Sequence, residues 1–301
     1  MDRVFEYRIT PEYNGENVKT VLKQHFKMSS ALIKELKKYD DGIRVNGSHM
    51  RVVDIVREGD LLEITLRDTA SENIVPNNIP LNVVYEDEDI LVIDKPPNMP
   101  VHPSMGNYEN TVANAVMYYF QLRGEDRVFR AVNRLDKDTS GLMAIAKNAY
   151  IHARLGEEIQ TGELRRRYMC IVCGDVAEDG TVDAPIKRAE GSVINRIVAA
   201  DGQRAVTHYR VLKRYGEYTM LEMTLETGRT HQIRVHMAYM GYPLAGDWLY
   251  GTEDKKTVPR QMLHSCYLRF IHPITGREME FCSKYAQDMS EFIQKILEKQ
   301  G

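Results

Sequence analysis

The sequence predicts an α+β protein whose main domain is built on a largely antiparallel sheet. Short β-rich runs such as "MAIAK", "RYMCIVCG" and "YTMLEMTLET" recur after residue 81, and helical patterns are fewer. In the last of these runs the apolar Leu221, Met223 and Leu225 occupy every second position, the period of a half-buried strand. Many strands with scattered helices are typical of the α+β class.

Residues 1–66 are predicted to form a smaller unit at the start of the chain. A strand-like "VFEYRI" is followed by two segments whose apolar residues recur at spacings of three and four, which indicates amphipathic helices. "VNG", followed by alternating residues, indicates a tight turn between strands. We therefore expect two short helices packed on a small hairpin sheet.

Residues 67–80, "RDTASENIVPNNIP", are predicted to be a linker, because they contain two prolines and three asparagines and no apolar period. The second domain then covers residues 81–301. Its helical patterns are "TVANAVMYYFQLRG", "AYIHARLGEEIQTG" and, near the C-terminus, "DMSEFIQKILEKQ".

Composition restricts the class of protein. The net charge is −3, so binding to a polyanion must come from local basic patches such as Lys34, Lys37 and Lys38, or Arg165, Arg166 and Arg167. No apolar run approaches the roughly 18 residues of a membrane span, and the first residues lack a signal-peptide pattern. We expect a cytoplasmic protein with no membrane contact, and a monomer because no heptad pattern is present.

The cysteines and histidines do not predict a metal site. Cys170 and Cys173 form a C-x-x-C within a strand-like segment, where residues three apart point to opposite faces and cannot bind one metal ion. His231 and His236 lie five apart on a predicted helix, about 140° from each other. We expect buried strand cysteines, no metal and no cofactor.

Asp136 in "NRLDKDTSGLMAIAKN" is the first candidate for chemistry. It precedes Thr139, Ser140 and Gly141, which favour turns, so a structural turn aspartate and a nucleophile are both possible from these residues alone.

A second polar stretch, "TGRTHQIRVHMAYMG", predicts a helix that begins after Thr230 as N-cap and ends at Gly241. His231 and Arg234 would share one face of that helix. If Arg234 meets Asp136, it would hold the carboxylate ionised, as covalent catalysis on a sugar or a base requires.

Four motifs in order carry a family resemblance. "NRLDKDTSGLMAIAKN" resembles the RLD-x-x-TSG signature of the RluA/RluD-type RNA pseudouridine synthases, and the likeness extends over most of residues 81–282. The other three motifs are "DEDILVIDKPPNMPVHPS", "RRRYMCIVCG", and "TGRTHQIRVHMAYMGYPLAGDWLYG" with "LHSCYLRFIHPITG". The resemblance implies the pseudouridine synthase fold, with a mixed, mostly antiparallel sheet, and the isomerisation of uridine in RNA.

The resemblance also implies roles for particular residues. Asp136 matches the catalytic aspartate, and Arg234 matches its basic partner. Whether this aspartate attacks the base or the ribose is not settled within the family. Tyr168 matches the tyrosine that stacks on the base and is suited to removing the carbon-5 proton. Ile233 and Leu263 match residues lining the base pocket, and Arg134 matches the residue that fills the space left by the flipped nucleotide; the alternative for Arg134 is a phosphate contact or a surface ion pair.

Two positions depart from the family pattern. Asn133 replaces the usual histidine, so we expect a weaker phosphate contact there. Arg166 replaces the strand lysine and keeps its positive charge near the substrate. His231 is expected to bond locally and to fix the site.

Residues 1–66 are similar to the alpha-L RNA-binding module of a ribosomal small-subunit protein, although Ala31 and Leu32 replace its usual arginines. That similarity favours ribosomal RNA over transfer RNA as the partner.

Two other functions are compatible with parts of this sequence. A non-catalytic RNA-binding or ribosome-assembly protein would keep the fold without the chemistry, but Asp136, Tyr168 and Arg234 are all present. A glycoside hydrolase would need a second carboxylate, for which Asp138 and Asp247 are the candidates. Asp247 more readily caps the loop in "GDWLYG".

Overall fold

The computed structural model describes residues 2–67, 74–251 and 258–298. The elements of the first part are β1 (Arg3–Arg8), α1 (Val18–Gln24), α2 (Ser30–Leu36), β2 (Ile43–Val45), β3 (Ser48–His49) and β4 (Leu61–Leu66). The four strands form an antiparallel sheet in the order β1–β4–β2–β3. Two short helices and a small sheet were predicted, and both are present.

Local signals in the sequence explain where these elements begin. Asn17 and Ser29 each accept a hydrogen bond from the backbone N–H three residues further on, and so cap α1 and α2. Asn46 and Gly47 both have positive φ between β2 and β3, which is the tight turn expected from "VNG".

A nine-stranded sheet dominates the rest of the chain. Its strands are β5 (Val83–Glu86), β6 (Ile90–Lys95), β7 (Ser140–Ala146), β8 (Arg165–Cys173), β9 (Gly180–Asp183), β12 (Val206–Tyr215), β13 (Tyr218–Leu225), β14 (Leu263–Ile271) and β15 (Glu278–Cys282). The order is β5–β6–β7–β14–β8–β13–β12–β9, with β15 on β14. Among the described strands, β7 and β14 form the one parallel pair, so the sheet is mixed and mostly antiparallel as predicted.

Four helices and a separate hairpin surround this sheet. The helices are α3 (Val112–Leu122), α4 (Ala149–Thr161), α5 (Gln232–Tyr239) and α6 (Gln287–Glu298), and the hairpin strands are β10 (Ile186–Arg188) and β11 (Arg196–Val198). None of the described helices combines the length and apolar content that crossing a bilayer requires.

The central strands are covered on both faces. In β6, Ile90 and Val92 pack into a core shared with α4, while Leu91 and Ile93 pack with α3 on the other face. Every residue of β7 is buried, which explains its continuous apolar sequence. The half-buried pattern expected for β13 is incomplete: Met220, on the supposedly polar face, is buried beneath Met289 and Phe292 of α6.

The first sheet contacts the rest of the chain through β1. The Arg3 guanidinium donates two 3.0 Å hydrogen bonds to the Asp89 carboxylate, and the Phe5 ring lies 5.2 Å from the Tyr150 ring of α4. Residues 68–73 of the predicted linker lie outside the described residues. The division into domains at 66 and 81 stays a prediction.

Candidate active site

Asp136 lies on the turn that leads into β7. The Thr139 N–H donates to the Asp136 carbonyl at 3.1 Å and closes this turn. Gly141 follows with φ of +112°, and a Cβ there would lie 2.3 Å from the Ser265 carbonyl oxygen on β14. The parallel pairing of β7 with β14 therefore requires a residue without a side chain at this point.

Asn133 anchors the same segment to β7. The residue is 2 % exposed. Its amide nitrogen donates to the Leu142 carbonyl at 3.2 Å, and its carbonyl oxygen accepts from the Ala144 N–H at 2.9 Å. Because both polar groups already bond to β7 in a buried position, Asn133 holds the turn in place, and a weak phosphate contact there stays a prediction.

A buried lysine ties the "DKPPNMP" segment to the turn. Lys95 is fully buried, and its Nζ donates to the carbonyls of Pro96, Met99 and Lys137 at 2.8 to 2.9 Å. Burial lowers the pKa of Lys95 to about 7. The three carbonyls favour the ammonium form, which has three protons to donate. Lys95 therefore links its own segment to the turn that carries Asp136.

Helix α5 supplies the partner of Asp136, although its start differs from the prediction. Thr230 is not the N-cap: the helix begins at Gln232 after His231, whose φ is +58° and whose side chain does not cap. Gln232 instead accepts from the Arg229 N–H and organises the preceding turn. The end is as expected, with Gly241 at positive φ just after the helix.

Arg234 on α5 meets Asp136, as predicted. The side chain is 5 % exposed, and Nη1 donates to Asp136 Oδ2 at 3.1 Å. The Nε and Nη2 groups on another edge of the guanidinium form a bidentate pair with Asp247, at 2.7 and 2.8 Å. Although burial opposes the charge, the hydrogen bonds with Asp247 and Asp136 raise the pKa of Arg234.

Asp247 is the residue that sequence reasoning assigned incompletely. It caps its loop as expected, since it accepts from the N–H groups of Leu249 and Tyr250. It also holds Arg234 in place from a fully buried position. A loop cap 13 residues from Arg234 gives no local signal of this pairing, because the loop returns to the helix only in the folded chain.

His231 approaches the same carboxylate from the start of α5. Its Nε2 lies 3.8 Å from Asp136 Oδ2, and its Nδ1 lies 2.8 Å from the Tyr250 hydroxyl. The expectation that His231 bonds locally and shares a face with Arg234 agrees with this geometry. Burial lowers the pKa of His231, so the imidazole is neutral near pH 7.

A small pocket with one apolar side opens beside this cluster. Tyr168 on β8 is 5 % exposed, and Ile233 and Leu263 are each 4 % exposed. All three line the pocket with Asp136 and Leu135. The sequence-predicted base-pocket residues are therefore brought together next to the carboxylate.

A larger cleft of about 740 Å³ continues from the pocket to the surface. Its lining includes four arginines, with Arg134 and Arg166 joined by Arg204 and Arg229, which the sequence reading did not single out. Arg204 pairs with Glu226 at 2.6 Å, so part of this charge is already balanced. The cleft is suited to a negatively charged polymer.

The predicted basic patch at residues 165–167 is split between two faces of the sheet. Arg166 lines the cleft with Tyr168, whereas Arg167 lies on the other face, 3.8 Å over the Tyr267 ring and 3.3 Å from Glu222. Strand alternation places Arg165 on the side of Arg167. Of these three arginines, Arg166 is therefore the one that faces the cleft.

The fold and the cleft together indicate an enzyme that acts on a polyanion. Comparison with known proteins gives its family: residues 89–239 match the family described as RNA pseudouridylate synthase. The chain belongs to this family and is an RNA pseudouridine synthase, an isomerase.

Curated relatives cover most of the chain. It is 42 % identical over 268 residues to the uncharacterized RNA pseudouridine synthase YjbO of Bacillus subtilis, across 88 % of this chain and 94 % of the relative. It is 37 % identical over 303 residues to ribosomal large subunit pseudouridine synthase D of Pasteurella multocida, across 95 % of this chain and 88 % of the relative. These matches support the RluA/RluD-type assignment.

Solved structures share the fold. Human RNA pseudouridylate synthase domain containing 4 superimposes with a TM-score of 0.59 at 22 % identity, covering 72 % of this chain and 93 % of that one. Human RNA pseudouridylate synthase domain containing 1 gives 0.57 at 23 % identity, covering 73 % and 96 %. The predicted pseudouridine synthase fold is confirmed.

Proposed function

We propose that this enzyme isomerises specific uridines in structured RNA, with large-subunit ribosomal RNA favoured over transfer RNA, and that Asp136 is the nucleophile. The name of the Pasteurella multocida relative supports the choice of RNA. One observation supports the nucleophile most strongly. The Asp136 carboxylate is one-quarter exposed at the base of the cleft, and Arg234, itself locked by Asp247, holds one of its oxygens.

The reaction begins with extrusion of the target nucleotide. A base inside a helix is out of reach, and flipping it costs a few kcal/mol. Arg134, which is exposed at the cleft, is placed to fill the space that the base leaves. Ile233 and Leu263 then line the space that the uracil enters.

Asp136 next bonds to the target nucleotide, and the N-glycosidic bond breaks. The freed uracil turns within the pocket and reattaches to the ribose through carbon 5, which releases the carboxylate. Carbon 5 loses its proton and nitrogen 1 gains one, so the product is an isomer of the substrate. The buried Arg234 stabilises the carboxylate each time it is free.

Tyr168 is assigned to stacking on the uracil. Burial raises the pKa of Tyr168, so the phenol keeps its proton near neutral pH. Removal of the carbon-5 proton by Tyr168, which the family resemblance suggests, would first require this phenol to ionise.

The experiment compares Asp136→Asn with Asp138→Asn on large-subunit ribosomal RNA transcribed in vitro, with pseudouridine mapped chemically. Asp136→Asn should abolish conversion and leave RNA affinity nearly unchanged, because affinity comes from phosphate contacts elsewhere. Asp138→Asn, two residues away, should stay active. Conversion by Asp136→Asn would rule out the nucleophile.

The same pair of variants tests the glycoside hydrolase hypothesis. A hydrolase would need Asp138 as its second carboxylate, so Asp138→Asn would then be inactive. Asp247 cannot serve, since both its oxygens are bonded to Arg234 in a fully buried position. A non-catalytic RNA-binding factor would show no conversion with the unsubstituted protein either. We further propose that the enzyme acts as a monomer on RNA in the cytoplasm.

A further inference from the structure

We propose that His231 and Tyr250 are positioning residues that, with Arg234, hold oxygen Oδ2 of Asp136 and leave Oδ1 as the attacking atom. The inference rests on the proposed nucleophile and adds which of its oxygens reacts and what selects it.

The two oxygens of the Asp136 carboxylate have different surroundings. Both groups that approach Asp136 do so at Oδ2: Arg234 Nη1 at 3.1 Å and His231 Nε2 at 3.8 Å. Within the described parts of the chain, no hydrogen bond to Oδ1 occurs. Oδ1 is thus the oxygen whose lone pairs are available to a nucleotide in the pocket.

The contacts of Tyr250 indicate which ring nitrogen of His231 carries the proton. The Tyr250 hydroxyl oxygen accepts from the backbone N–H of Arg196 at 2.9 Å, so its own proton is available to His231 Nδ1, 2.8 Å away. An imidazole that accepts at Nδ1 carries its proton at Nε2 when neutral. Tyr250 thereby directs the N–H of His231 towards Asp136.

The surroundings of His231 favour the neutral imidazole. Two carboxylates, Asp136 and Asp247, and two guanidiniums, Arg234 and Arg196, surround the imidazole, and burial outweighs the carboxylates and lowers its pKa. His231 therefore acts as a neutral donor. Its 3.8 Å separation from Oδ2 is longer than a hydrogen bond, and such contacts commonly shorten when substrate fills a site.

The Tyr250 ring also packs against the two side chains that approach Oδ2. The Tyr250 ring lies 5.1 Å from the Arg234 guanidinium and packs edge-on to His231 with centroids 5.7 Å apart. His231 itself has φ of +58°, an uncommon conformation for a residue with a side chain. One aromatic side chain therefore contacts both groups that approach Oδ2.

Tyr250→Phe tests the hydroxyl, because it keeps the ring contacts and removes the donor to Nδ1. The single-turnover rate on in vitro transcribed large-subunit ribosomal RNA should fall about tenfold, while the Kd for that RNA changes less than twofold. Tyr239→Phe is the matched control, since it removes an exposed hydroxyl from α5. A rate within twofold of the unsubstituted enzyme would overturn the inference, as would an equal loss of affinity.

His231→Gln and His231→Ala test the donor without depending on Tyr250. Both place similar strain on the positive-φ backbone, but glutamine can offer an amide N–H near the position of Nε2. His231→Gln should retain at least tenfold more single-turnover activity than His231→Ala. Equal activity of the two variants would overturn the donor role.

Failure of this inference differs from failure of the proposed function. If Asp136→Asn is inactive and Tyr250→Phe is fully active, the nucleophile stands and the positioning role falls. If Asp136→Asn is active, both fall.

Discussion

At the scale of single residues, the site depends on a guanidinium shared between two carboxylates. A buried charge is costly unless it is paired, and Asp247 pairs with Arg234 through two hydrogen bonds. One nitrogen of Arg234 remains for Asp136. Asp247 thus keeps the cation buried and oriented whether or not Asp136 is paired with it.

Arg166 and Arg165 provide a matched test of the RNA-binding face. Arg166 faces the cleft, whereas Arg165 lies on the opposite face of β8. Arg166→Gln should weaken binding of large-subunit ribosomal RNA and reduce the salt dependence of log K by about one phosphate contact. Arg165→Gln should leave the salt slope unchanged. A filter-binding titration across salt concentrations measures both variants.

The opposite ranking would contradict the assignment of faces. If Arg165→Gln flattened the salt slope and Arg166→Gln did not, RNA would lie on the reverse side of the sheet, away from Asp136.

The sequence predicted some site residues and missed others for physical reasons. Helical spacing and the family motifs predicted that Arg234 would reach Asp136. The partners Asp247 and Tyr250 depend on a loop that returns to α5, which no local pattern encodes. The opposite orientation of Arg166 and Arg167 follows from strand alternation and could have been read from the sequence.

At the scale of elements, the turn between β5 and β6 depends on one carboxylate. Asp87 accepts from the backbone N–H groups of Asp89 and Ile90 at 2.8 and 2.7 Å, from the Tyr85 hydroxyl and from His272. Burial opposes its charge, but the bonds from His272 and Tyr85 and from the backbone outweigh it and lower the pKa of Asp87.

Asp87→Asn should lower the free energy of unfolding at pH 7 by about 2 kcal/mol, because the two groups bonded to Oδ2, the Tyr85 hydroxyl and His272, lose their acceptor. The folded carboxyl has the lower pKa, so its stabilisation is complete above its ordinary pKa of 3.8 and is lost as pH falls towards the folded value. The difference between the two proteins should therefore be about 1 kcal/mol smaller at pH 3 than at pH 7.

Urea unfolding at both pH values measures this effect. Glu88→Gln is the control, since its side chain is 62 % exposed and touches Arg3 at 3.3 Å. A difference independent of pH would contradict the role of the ionised Asp87.

Elements were predicted more reliably than their boundaries. Apolar spacing located α1, α2, α3, α4 and α6. The start of α5 was misplaced because Gln232, rather than Thr230, organises its first turn, and His231 adopts a positive φ. The alternation in β13 was misread at Met220, because α6 covers that face and its packing depends on residues far along the chain.

At the scale of the whole molecule, the sheet order places the site. β14 enters between β7 and β8, which brings Leu263 beside Tyr168 and closes the pocket next to Asp136. The class of sheet followed from strand-like runs, but the insertion of β14 is a long-range pairing that the runs do not specify. Arg260 strengthens this closure by linking the Asp138 carbonyl to Asp288 at the start of α6.

We propose above that Asp136, in this cleft, converts uridine in ribosomal RNA. The most direct test maps pseudouridine in total RNA from a strain lacking the gene, beside its parent, after complementation with the unsubstituted gene or with Asp136→Asn. We expect specific large-subunit ribosomal RNA sites to disappear on deletion and to return only with the unsubstituted gene. An unchanged map after deletion, or restoration by Asp136→Asn, would contradict the account.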